Sequence, residues 1–111
     1  MGAAALSLRL GWPIARYRVD GPSMEPGFRE GDRLLVNRLA YLAAGPRAGD
    51  AVIVRDPEEP SRLLLKRIAA VQDAGAGRYF VVGDNPGASR DSRQFGPVER
   101  GAIIGRAWRK Y

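Results

Sequence analysis

The 111-residue chain has no cysteine and no histidine. The first absence excludes disulfides and thiolate metal sites; the second removes the commonest metal ligand and acid–base side chain. No cofactor and no metal site is expected, and redox chemistry gives no clue to compartment. No apolar run approaches the roughly 18 residues that span a bilayer. The opening, MGAAALSLRLGWPIARYRV, is uninterrupted only over Ala3–Leu6 and is broken by Arg9, Pro13 and Arg16. That is too short for a signal peptide or an anchor. Residues 1–18 are therefore read as an N-terminal segment without a clear membrane span, and the location as cytoplasmic. The alternative is membrane association, with peripheral contact through Leu8, Leu10 and Trp12. Lysine is scarce as well: of 18 basic residues only Lys66 and Lys110 are lysines, against 12 acids and a net charge of +6. Such an excess would suit nucleic acid or anionic lipid. The arginines are scattered, however, with no basic block and no helix-turn-helix or zinc-finger pattern. They read as a solvated basic surface, and no nucleic-acid partner is expected.

What is present points to a single mainly-β domain. Hydrophobic content of 45% is enough for one core, and 14 glycines with 8 prolines imply many tight turns. Strands are expected over 32–39, 51–55, 62–71, 78–82 and 102–108, separated by Gly-rich turns such as QDAGAG at 72–77. That spacing predicts a coiled, partly closed sheet. Residues 83–101 read as a long irregular loop, and a polar loop of this length in a small domain is usually functional or disordered.

Three stretches carry chemistry. VDGPSMEP (19–26) places one hydroxyl, Ser23, in a loop that Gly21, Pro22 and Pro26 keep from being helix or central strand. RLLLKRIAAV (62–71) alternates so that Leu64, Lys66 and Ile68 share one face. A lysine between two aliphatic neighbours is informative in a chain that otherwise uses arginine. A desolvated lysine can lose its proton, arginine cannot, and a neutral amine can take a proton from serine. The alternative is a lysine snorkelling from a strand edge. GDNPGASRDSRQFG (83–96) crowds Ser89, Asp91, Ser92 and Arg93 among glycines. Asp91 and Arg93, two apart, can pair; in a turn Asp91 can bond backbone amides instead. Either Ser89 or Ser92 can offer a hydroxyl to a lysine amine.

These stretches, in this order, resemble the signal peptidase I family. GPSMEPGFREGD looks like its nucleophile box, GDAVIVR its second box, LLLKRIAAV its lysine box and GDNPGASRDSRQFG its last. The likeness covers residues 19–108. It implies a serine endopeptidase with a Ser–Lys dyad on a signal-peptidase/LexA-like domain, spanning 19–111, without the large inserted second domain of many bacterial members. Carried over by residue, Ser23 matches the nucleophile and Lys66 the general base. Ser89 matches the serine that orients the lysine, and Asp91 and Arg93 the supporting ion pair. Gly21, Pro22, Ser23 and Met24 form the nucleophile loop, with the Ser23 N–H as oxyanion donor and Met24 as its anchor. Where some members supply a second, hydroxyl donor, this chain has Gly21. The family's usual threonine after the Ser-Met-x-Pro run is Gly27. The short layout and the closing stretch resemble the nickel-type superoxide dismutase maturation proteases. The implied partner is a protein with an N-terminal leader, such as that enzyme's precursor. A general signal peptidase, truncated or partner-anchored, is the alternative. A LexA-type self-cleaving repressor protease and a basic binding module without catalysis are further readings.

Overall fold

The computed structural model describes residues 8–10, 13–73, 75 and 77–111. Among them lie β1 (Leu8–Leu10), β2 (Ile14–Arg18), β3 (Arg33–Asn37), β4 (Ala51–Arg55), β5 (Leu63–Asp73) and β6 (Arg78–Val82). A 3-10 turn at Pro86–Ala88, the single-turn helix α1 (Ser92–Phe95), β7 (Val98–Glu99), a second 3-10 turn at Arg100–Ala102 and β8 (Ile103–Lys110) complete the order. The strands form one antiparallel sheet, ordered β1-β2-β3-β8-β4-β5-β6-β7. The final strand thus enters the middle of the sheet and joins two meanders. Register shifts in the β3–β8, β4–β8 and β5–β6 pairings mark bulges, which strengthen twist and help the sheet to coil. The result is the mainly-β, curled and partly closed sheet expected.

Both faces of this sheet are buried at its centre. Ala15, Tyr17, Leu34, Val36, Ile53, Leu65 and Met24 pack on one face. Val52, Val54, Ile68, Tyr79, Val81 and Val98 pack on the other. Strand β4 is buried on both sides, which explains its unbroken AVIV run. Lys66 stands opposite Val52 in register, so it lies on the second face, as the alternation of β5 predicts.

Two expectations are corrected in detail. The stretch 83–101 is not irregular throughout, because Asp91 caps α1 and Val98–Glu99 adds an edge strand to β6. Residues 14–18 form a full strand of the sheet, paired along β3. The side chains of Leu8, Leu10 and Trp12, the expected membrane contact, lie outside the described residues, as does part of the turn at 72–77. Among the described residues no helix is long and apolar enough to cross a membrane.

Candidate active site

The loop from β2 to β3 carries Ser23. Its base is closed by ladder-like bonds, Val19 N–H to Asp32 O at 2.8 Å and Gly31 N–H to Val19 O at 2.8 Å. Gly21 and Gly31 take positive φ (78° and 88°), the region that favours glycine, so the chain turns at both shoulders of the loop. Inside, Glu25 N–H bonds Pro22 O at 3.1 Å and Phe28 N–H bonds Met24 O at 3.0 Å. The Met24 side chain is buried in the first core cluster, where the anchor was expected. Gly21 donates its N–H to Glu30 Oε1 at 3.3 Å, so this position offers no free donor. Among the described residues neither the N–H nor the hydroxyl of Ser23 has a hydrogen-bond partner, which leaves both free for a ligand.

A second loop, after β6, is stapled to the first. Asn85 donates its N–H to Ser23 O at 2.8 Å and its side-chain amide to Pro22 O at 3.1 Å. Asp84 N–H points at Met24 Sδ, 3.4 Å away. Gly83 lies between the loops. A methyl group built on it would fall 2.2 Å from Ser89 Oγ and 2.6 Å from Ser23 O. Only a residue without a side chain lets the Ser23 backbone and the Ser89 hydroxyl converge this closely.

Lys66 reaches the same place from β5. It is buried, and its Nζ donates to Ser89 Oγ at 3.0 Å. Ser89 Oγ in turn donates to Asp91 Oδ2 at 2.6 Å. An ionised carboxylate can only accept, so the single hydroxyl proton of Ser89 is committed to Asp91. The Ser89 oxygen must then accept from Lys66, which fixes one N–H of the amine and directs its remaining valences elsewhere. No hydrogen bond joins Lys66 to the Ser23 hydroxyl among the described residues; such bonds often tighten only when substrate is bound.

Asp91 is fully buried and saturated. It also accepts from Gly83 N–H (2.7 Å), Arg93 N–H (3.1 Å) and the Arg93 guanidinium (2.9 and 2.5 Å). Burial works against its charge, but the bonds from Arg93, Ser89 and the two backbone amides outweigh it and hold the carboxyl well below the usual range. Asp91 therefore both pairs with Arg93 and binds backbone, while Gln94 returns a bond to its N–H in a capping box. For Lys66, burial pushes the amine below its ordinary value. Asp91 pulls the other way, and Arg90, Arg93 and Arg62 add to the depression.

The structure separates the two candidate serines. Ser92, the first residue of α1, is buried and accepts from Val81 N–H at 2.9 Å, so its hydroxyl serves the sheet and not the lysine. It also adds two clamps that the sequence reading did not name. Arg67 grips Asp84 through two bonds (2.9 and 2.7 Å) and reaches Gly49 O at 2.9 Å. It thereby ties the Gly83–Asn85 loop to the strand that carries Lys66. Arg90, between Ser89 and Asp91, binds the fully buried Asp56 and also Glu58 at 2.9 Å, and lies over the Phe95 ring. The signal for the first clamp was present in the Lys66-Arg67 dipeptide, whose two side chains must face opposite ways.

Residues 2–73 and 71–111 match the family described as "Signal peptidase, peptidase S26". Among curated proteins, the mitochondrial ATP-independent inner membrane protease subunit 1b of Arabidopsis thaliana is 36% identical over 110 residues, covering 80% of this chain and 65% of the relative. The mitochondrial inner membrane protease subunit 1 of Mus musculus is 30% identical over 107 residues, covering 81% and 64%. Signal peptidase I V of Bacillus subtilis is 28% identical over 137 residues, covering 80% of each. The chain thus spans about two thirds of the length of the inner membrane relatives. Their names overturn the expected cytoplasmic location: similarity runs to proteases named for a membrane, and the membrane-associated alternative fits.

Proposed function

The chain belongs to the peptidase S26 family of signal peptidases, and from that premise we propose that it is a serine endopeptidase that removes N-terminal leaders from partner proteins. Ser23 is the nucleophile and Lys66 the general base. The neutral Lys66 amine takes the Ser23 proton as Oγ attacks the scissile carbonyl, and the Ser23 N–H donates to the developing oxyanion. Lys66 then protonates the leaving amine; it next deprotonates a water that attacks the acyl-enzyme, and it returns that proton to Ser23 Oγ as the new carboxyl terminus leaves. The observation that carries this reading is the relay Lys66–Ser89–Asp91–Arg93, which orients a buried amine where Ser89 and the Ser23 loop converge on Gly83. In this reading β1 and β2 belong to the catalytic unit together with residues 19–111, since they are strands of the same sheet.

The specific substrate is the leader of a nickel-type superoxide dismutase precursor, a reading supported by the likeness of the closing stretch 83–111 to the maturation proteases of that enzyme. The relatives named inner membrane protease and signal peptidase support the coarser reading, a protein substrate with a leader. One experiment tests both. The chain and its Ser23→Ala variant are incubated with that precursor and with a secretory precursor, and new amino termini are read by mass spectrometry. Ser23-dependent processing of the first supports the full proposal. Processing of the second alone replaces the substrate and keeps the chemistry. Processing of neither overturns the peptidase reading.

A further inference from the structure

We propose that the cavity between the loop 41–45 and the β5–β6 hairpin binds a carboxylate carried on a compact apolar group. The cavity has a volume of about 390 Å³, within the range of small-molecule sites, and opens to solvent. Tyr79 lines it from the sheet. This side chain is only 5% exposed and packs in the second core cluster, yet its hydroxyl has no hydrogen-bond partner among the described residues. No buried side-chain oxygen or nitrogen among those residues is left unpartnered, so the little surface that Tyr79 keeps includes its hydroxyl. Gly45, also part of the lining, stands over that group. A methyl group built on Gly45 would lie 3.1 Å from Tyr79 Oη, so a side chain there would crowd the one polar group of the floor.

Arg100 supplies the charge. Its N–H donates to Gly77 O at 2.8 Å, which seats the second 3-10 turn against the hairpin. Its guanidinium donates through Nη1 to Ile103 O at 3.2 Å and lies over the Tyr41 ring at 5.5 Å. That ring is fixed in turn, because the Tyr41 hydroxyl donates to Asp50 at 2.7 Å. The fork is thus held on one edge and one face, and among the described residues it forms no ion pair. One guanidinium and one phenol donor suit a carboxylate, which accepts a bidentate pair; a phosphate would call for more donors. Leu42, Ala43 and Ala44 complete the lining with apolar surface and no further charge, which fits an apolar body behind the carboxylate. The cavity is distinct from the proposed active site. Tyr79 stands opposite Val71, five residues beyond Lys66 on β5 and about 16 Å along the strand. Two sources share this ligand chemistry: a free short-chain acid, and the C-terminus of a peptide that ends in small apolar residues. A leader released by the proposed peptidase reaction would be one such peptide, but the site itself does not rest on that reading.

The test is an NMR titration of the backbone amides of the full chain with N-acetyl-alanyl-alanine, its C-terminal amide, and isobutyrate. None of these readouts requires cleavage, so their failure is distinct from failure of the peptidase reading. The acid should shift the amide signals of Gly45, Gly77 and Arg100 and leave those of Ser23 and Ser89 in place. The uncharged amide should bind about tenfold more weakly, because it forfeits hydrogen bonds to a charged group. Arg100→Gln and Tyr79→Phe should each weaken binding of the acid by a similar factor of about ten. Tyr79→Phe keeps the buried ring and serves if Arg100→Gln is unstable by circular dichroism. Arg55→Gln is the control, since Arg55 stands opposite Leu63 at the start of β5 and the cavity lies at its end; it should bind as the wild type does. Isobutyrate bound as tightly as the peptide supports the site with a free acid as its ligand, and weaker binding supports it with a peptide C-terminus. The proposal is overturned by equal binding of acid and amide, by undiminished binding in both cavity variants, or by equal loss in Arg55→Gln. Shifts confined to the Ser23 and Ser89 loops, or no binding of either acid at millimolar concentration, overturn it too.

Discussion

Replacing Gly83 by alanine tests the convergence of the two loops more sharply than replacing any reactive group. Gly83 is not among the positive-φ glycines, so alanine meets no backbone objection there and the conflict is purely steric. Its methyl would lie 2.2 Å from Ser89 Oγ, 2.5 Å from Ser89 Cβ and 2.6 Å from Ser23 O. The residue cannot swing away freely, because its N–H is bound to buried Asp91 at 2.7 Å. Overpacking of this kind costs about 1–3 kcal/mol, and losing the Asn85–Ser23 bond about 1 more. A Tm lower by about 8–16 °C follows, at roughly 4 °C per kcal/mol for a domain of this size. Relief of the clash by about 1 Å in either loop should also reduce leader cleavage on the order of 100-fold. Gly101→Ala is the control, since its added methyl meets nothing within 4 Å. Thermal melts and cleavage rates of both variants decide the matter. A Gly83→Ala protein as stable and active as Gly101→Ala would refute the convergence of Ser23 and Ser89 on this residue.

Ser23→Ala should melt with the wild-type chain and cleave at background rate; retained cleavage would remove Ser23 from the mechanism. Lys66→Met should abolish cleavage while leaving stability at neutral pH equal or higher, because a buried amine gives way to an apolar side chain of similar length. Its pH dependence gives the sign. The folded Lys66 binds its proton less tightly than the unfolded lysine, so wild-type stability should rise with pH from the depressed folded value to about 10.4. Urea midpoints across that window should show a flatter slope in Lys66→Met. Arg67→Gln breaks the two-bond grip on Asp84; with both partners part-exposed the stability loss should be only about 1 kcal/mol, read from the urea midpoint, while cleavage slows through the displaced loop.

How far the site could be read in advance depended on whether the deciding contact was local. Lys66 was legible because strand alternation alone put it between Leu64 and Ile68. The choice between Ser89 and Ser92 was not: both are hydroxyls in one polar loop, and what separates them is that α1 begins at Ser92 and turns it toward Val81. The clamps Arg67–Asp84 and Arg90–Asp56 join residues 17 and 34 apart, and only the register of β4, β5 and β6 brings them together. Strand β2 was missed for another reason. IARYR does alternate, with Ala15 and Tyr17 buried, but its arginines read as interruptions of an apolar run when they are the solvent side of a strand.

The arrangement around Asp91 contains a conflict whose resolution is testable. In the proposed mechanism Lys66 must be neutral to act as the general base, so activity should appear only above its pKa. An ionised carboxylate one hydroxyl away favours the ammonium form, which is the wrong direction. Arg93 answers this by taking up the Asp91 charge through both carboxylate oxygens and by adding its own positive field at the amine. Arg93→Gln should leave Asp91 ionised, since Gly83 N–H and Ser89 Oγ still donate to it. Lys66 would then hold its proton more tightly, and the acid limb of kcat/KM should move to higher pH. Asp91→Asn removes the opposing charge, so the limb should move to lower pH even if the reorganised Ser89 lowers the maximum rate. The shifts are best measured at low salt, because Arg93 is partly exposed and screened. Limbs that move in the same direction in the two variants, or not at all, would refute a Lys66 titration set by this pair.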